Sequence, residues 1–311
     1  MGWIKTLNNP TTDVKDAMAQ SGINWNAKTT NVKFTVGNET HIMPDKYVIF
    51  KDTDNTPLGV VGKNYEIYQN SEMWDFIDDF IKTSCSNCEI ETALEIKDGR
   101  QVIVMLRSKS KEIVQNDVVY EYFCFRNSFD GSTPLQVFFT NKRLVCTNTL
   151  TATLKNAKTQ NALHVIRHTK NLKDKIREMQ SIIIKGKELQ HEVDKKLAYL
   201  ASKKLDATKT VEVVKSLIFP KKDDIGKRAK TLREKNINKV LELIDSGMGT
   251  DIPGVKGTGY GLFNAFTEWV DHYKPVKAGK RDKDEVRFES NILETNSRLK
   301  NKVLNDLVQN I

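Results

Sequence analysis

The chain has 311 residues, of which 39% are apolar and 29% charged, with a net charge of +9. That length supports one large domain or two with ample core, and the composition excludes a disordered or low-complexity chain. No apolar run approaches the ~20 residues that span a bilayer, and the acidic, polar N-terminal stretch is unlike a secretory signal, so a cytoplasmic protein without a membrane partner is expected.

Residues 1–45 read as a leader with one short helix, Asp13 to Gln20, closed by Ser21-Gly22. Strand patterning starts at Lys46 (KYVIFKD), turns at Asp52–Pro57 and returns through LGVVGKNYEIY, where Gly59 and Gly62 permit a bulge or a close backbone approach. Asn70-Ser71-Glu72 opens a helix over Met73–Lys82 whose apolar face is Trp74, Phe76, Ile77 and Phe80. Three strands follow: Cys88–Lys97, Arg100–Ser108 after an Asp98-Gly99 turn, and Asp117–Arg126, in which Phe123 and Phe125 alternate with Tyr120, Tyr122 and Cys124. The four cysteines, Cys85, Cys88, Cys124 and Cys146, are expected as free thiols of a reducing compartment. Cys85 and Cys88 have the spacing of half a zinc site, and the missing second half favours a turn with two half-buried thiols. No metal, cofactor or catalytic motif is expected, and the glycine-rich stretch Gly247–Gly261 matches neither phosphate-binding fingerprint.

The stretch Leu135–Ala157 reads as a strand turning into a helix. It holds Lys142 and Arg143, then Thr147, Asn148 and Thr149, a set suited either to capping that helix or to meeting phosphate. From Asn161 the pattern is helical: a long amphipathic run to Leu205 with His164 and His168 on one face, then Thr208–Phe219, Asp224–Ser246, Leu262–Tyr273 and a terminal helix Arg287–Ile311. The fold class is therefore α+β: a mostly antiparallel sheet with a crossing helix over 46–157, a helical region over 158–275, and a linker with a terminal helix over 276–311.

Charge is unevenly distributed. Residues 1–140 hold 14 Lys+Arg against 19 Asp+Glu, whereas 141–311 hold 35 against 21. Between Asn141 and Gln190, eleven basic residues face three acids. Such a segment suits a polyanion, although a solvated Lys-rich helical face has the same composition. The candidate nucleic-acid contacts are Lys142, Arg143, Thr147, Asn148, Thr149, Lys155, Lys158, Arg167, His168, Lys170 and Arg126, with Tyr122 as a base-stacking ring.

KRLVCTNTLTATL (142–154), HVIRHTKN (164–171), FPKKDD (219–224) and GTGYGLFNAFTEWVDHY (257–273) resemble a phage- and plasmid-borne family defined as a domain of unknown function. In the order of its elements the chain is also distantly similar to the single-strand annealing recombinases of phages, the Redβ, RecT and Erf kind. That similarity implies a cytoplasmic protein of a bacterial host, a homo-oligomer that binds single-stranded DNA in a groove and promotes annealing without ATP. A non-enzymatic phage interaction or counter-defence protein and a metal-dependent nuclease are the alternatives.

Overall fold

The computed structural model describes residues 7–145, 149–151, 164–170, 172, 180–219, 226–293 and 295–311. Helix α1 (Val14–Ser21) lies where its caps place it: Asp13 accepts from the Lys15 amide and Gly22 closes it in the left-handed region at φ 71°. The expected leader also holds a strand. β1 (Ala27–Val36) and β2 (Glu39–Lys51) form a hairpin around Gly37, which has φ 60°, and β3 (Pro57–Gly62) adds to β2 only from Lys46 to Phe50. Beyond Lys46 the β1–β2 hairpin is a projecting arm whose apolar side chains Phe34, Val36, Ile42 and Met43 are 40–63% exposed.

Helix α2 (Asn70–Ser84) begins with a capping box between Gln69 and Glu72, one residue before the expected cap. It buries Met73, Trp74, Ile77, Phe80 and Ile81, each contributing about 1.5–3 kcal/mol by leaving water. Cys85 at its C-terminal end is disulfide-bonded to Cys88, in place of the two free thiols expected. The Cys88 amide donates to the Cys85 carbonyl at 2.8 Å, and this turn holds the two Cα atoms 5.3 Å apart.

The main sheet is antiparallel, in the order β4 (Glu89–Ile96), β5 (Gln101–Glu112), β6 (Val118–Ser128), β7 (Leu135–Arg143), β8 (Thr149–Thr151). The Lys97-Asp98-Gly99 turn, with all three residues at positive φ, joins β4 to β5 as the sequence predicts. β9 (His164–Ile166) pairs with Leu135–Val137 of β7, beside the segment of β7 that β8 covers. The Leu135–Ala157 stretch is thus a strand that turns back on itself, not a strand entering a helix, as far as it is described. His164–Ile166 is likewise strand, so His164 and His168 share no helix face.

Alternation along β6 sends Phe123 and Phe125 to one face of the sheet, against Phe80 and Phe76 of α2 at 5.0 and 5.4 Å between ring centroids. The other face holds Ile103, Met105, Tyr122, Cys124 and Phe138, covered by Phe288 and Ile292. The helical part comprises α3 (Gln180–Ser202), α4 (Ala207–Val213), α5 (Lys227–Ser246), α6 (Gly259–Glu268), α7 (Lys283–Phe288) and α8 (Thr295–Asn310). α6 starts at the Thr258 cap, where a Cβ on Gly261 would lie 2.2 Å from the Val255 carbonyl oxygen, so only glycine fits there. The terminal helix buries Val303, Leu304 and Leu307 in the core of its own chain.

Candidate nucleic-acid interface

Adjacent residues of a strand point to opposite faces, and this separates the basic pair of β7. Lys142 lies on the Tyr122 face. Its Nζ donates to Glu91 Oε1 at 3.1 Å, the same oxygen that accepts the Tyr122 hydroxyl at 2.8 Å, while Glu91 Oε2 lies 3.2 Å from Arg107. Tyr122 is 1% exposed and stacks no base. Arg143 lies on the other face, where its Nε donates to both oxygens of Asp117 at 2.7 and 3.0 Å. Its Nη atoms donate to the Met248 and Gly249 carbonyls, and the Tyr260 hydroxyl donates to Asp117 at 2.7 Å. The glycine-rich loop therefore supplies acceptors to an internal arginine.

Two further members of the predicted set are internal. Arg126 donates to Gln101 and Gln136, with Glu289 at 3.9 Å. The Thr149 amide donates to Asp271 Oδ2 at 2.8 Å, and Lys300 Nζ donates to Asp271 Oδ1 at 2.7 Å and to Thr149 Oγ1 at 3.0 Å. Asp271 sits in a π-turn, Trp269–Tyr273, and its own carbonyl accepts from Arg287 and Asn291. Lys300 and Asp271 are wholly buried, and burial lowers the lysine's pKa against the pull of the carboxylate. Desolvated, these cations hold the helices to the sheet. Each needs its acid, since an unpaired charge would be far costlier there.

Three others, Arg167, His168 and Lys170, lie together elsewhere. Arg167 and Lys170 are exposed, on the segment that follows β9. Beside them a cleft of about 430 Å³ opens between this segment and the loop after β6, lined by Tyr65, Ser132, Thr133, Val165, Arg167 and His168 among others. Gly59, where a Cβ would lie 2.6 Å from the Asp130 Cα, lets β3 approach that loop closely, as its position in the sequence suggested. His168 is 6% exposed, stacks on Tyr65 at 4.6 Å, and shares a hydrogen bond with the Glu66 carbonyl through Nδ1 at 2.9 Å. A carbonyl only accepts, so Nδ1 carries the proton and the neutral ring leaves Nε2 as an acceptor. Nε2 and the Thr133 Oγ1, both buried, have no hydrogen-bond partner among the described residues. Tyr65 and Thr133 went unrecognised in the sequence, since no local motif joins them to His168. Thr147, Asn148, Lys155 and Lys158 lie outside the described residues.

Burial holds the His168 pKa below its usual value, opposed by the Glu66 carbonyl. As pH falls below about 6.5, the unfolded chain takes up this proton before the folded one does, so folding stability is present above that pH and declines below it. Urea unfolding at pH 7.5 and 5.5 should show a smaller acid loss for His168→Asn than for the parent; equal losses would remove His168 from the effect.

Among the described residues, no group of three or more His, Cys, Asp or Glu side chains is placed to hold a metal ion, and no helix is long and apolar enough to cross a membrane. Fold and site together define an α+β protein with two antiparallel sheets and a cleft of mixed polar and apolar lining where β9 meets the main sheet. Over residues 57–292, about three quarters of its length, the chain matches the family described as Domain of unknown function (DUF932), and it belongs to that family. No curated protein and no solved structure matches it.

Proposed function

We propose that the protein binds single-stranded DNA and promotes annealing without nucleotide hydrolysis, as an oligomer, in the manner of the phage annealing recombinases. The observation that supports this reading is the exposure of Arg167, which lines the cleft, and of Lys170 three residues on, within the most basic segment of the chain. The phosphate contacts thus move from β7 to these two residues and to the basic residues flanking them in sequence. Backbone neutralisation makes affinity fall steeply with salt.

Anisotropy titrations of a labelled single strand across a salt series test it. The double variant Arg167→Glu, Lys170→Glu should weaken binding by about tenfold or more and reduce the salt slope by about two. Complementary strands should anneal faster with the protein present and ATP absent. Salt-insensitive binding, or none, would refute the proposal, and Mg²⁺-dependent strand cleavage would replace it with a nuclease.

One observation favours a second reading, a protein-interaction role: the β1–β2 arm presents Phe34, Val36, Ile42 and Met43 to solvent. In that case the arm, not the basic segment, makes the functional contact.

A further inference from the structure

The cleft beside β9 is built for more than phosphate. Its loop wall is fixed from within: Asp130 Oδ1 accepts from the Ser132 amide and hydroxyl, Gln101 donates to Ser132, and the Ser128 hydroxyl donates to the Thr133 carbonyl. The opposite wall is fixed by reciprocal bonds, the Glu66 amide donating to the His168 carbonyl while His168 Nδ1 donates to the Glu66 carbonyl. Among the described residues, two buried polar atoms of side chains that line the cleft have no partner, His168 Nε2 and Thr133 Oγ1. Leaving such atoms unsatisfied is costly, and a ligand group that meets them recovers that cost.

The ligand must fit three features. Nε2 of a neutral imidazole can only accept, so the ligand presents an N–H or O–H there. Val165 and Pro134 supply apolar lining, which suits a flat, weakly polar body. Arg167 at the same cleft asks for an anion. A nucleotide unit combines all three: a base with N–H groups on its edge, an apolar face and a phosphate.

We infer that this cleft receives one unpaired nucleotide, with the base edge on His168 Nε2 and Thr133 Oγ1 and the phosphate beside Arg167. This rests on the single-strand reading above and deepens it. The unit could belong to a strand or be a free nucleotide, and the test separates the two.

The probes are a labelled oligodeoxycytidine and an abasic strand of equal length, which keeps the phosphates and lacks the bases. His168→Asn retains a donor for the Glu66 carbonyl and removes Nε2; Thr133→Val removes only the hydroxyl. Circular dichroism melts establish that both variants fold. Each should cut the preference for oligodeoxycytidine over the abasic strand by about tenfold, the worth of one hydrogen bond in binding, and leave abasic affinity unchanged. Arg167→Glu should weaken both strands. If strand binding persists and neither His168→Asn nor Thr133→Val changes the preference, the cleft reads no base and the inference is wrong, while the single-strand function survives. If the parent protein binds neither strand, that function fails and free dCMP decides by NMR titration. Binding of dCMP that His168→Asn abolishes supports the cleft with a free nucleotide as ligand, and absence of dCMP binding overturns it.

Discussion

Lys300→Met is expected to lower the free energy of unfolding by about 3–5 kcal/mol, the loss typical when one partner of a buried ion pair is removed. Both side chains are wholly buried, so methionine would leave the Asp271 carboxylate with the Thr149 amide and hydroxyl but no cation. The loss comes chiefly from stranding that charge, and Asp271→Leu combined with Lys300→Met should therefore recover much of it. Urea titration of the three proteins measures this. A change below about 0.5 kcal/mol for the single variant, the size expected of a surface position, would show that the pair is not internal.

Arg143→Met should cost a similar amount, about 3–5 kcal/mol, because it strands Asp117 and also removes the donors to the Met248 and Gly249 carbonyls. Lys142→Met next to it should cost far less, since Glu91 keeps Arg107 and Tyr122. The contrast discriminates between two views of the pair. A phosphate-binding pair would lose DNA affinity on either substitution with stability untouched. A pair split between faces should lose stability at Arg143 and little at Lys142. Comparable stability at both positions would refute the internal role of Arg143.

Much of the sheet was legible because its signals are local. The Asp98-Gly99 turn, the alternation of Phe123 and Phe125 against Tyr122 and Cys124, and the apolar face of α2 each lie within one short window, and each stands in the structure as read. β1 was missed although Gly37-Asn38 is a hairpin signal and Val32, Phe34 and Val36 before it alternate with Lys33 and Thr35; that alternation buries no face, since the strands around the turn are almost wholly exposed. The opposite orientation of Lys142 and Arg143 was implicit in the strand assignment itself. What could not be read was their partners: Asp117 precedes Arg143 by 26 residues and Met248 follows it by 105. The cleft is assembled from three separated segments around Tyr65, Thr133 and His168. No spacing rule brings such positions together.

The β1–β2 arm has a mechanical consequence. From Lys46, the last residue tied to β3, to Asn38 at the turn, an extended ribbon measures about 25 Å. A bend of about 10° at its root would sweep the tip through about 4 Å on that geometry, with no loss of pairing within the ribbon. The arm is a lever whose fulcrum is Tyr47 and Ile49, at the edge of the core. Any load taken up by Phe34 or Ile42 is delivered there as torque, next to the β3 strand that packs on the loop bounding the cleft.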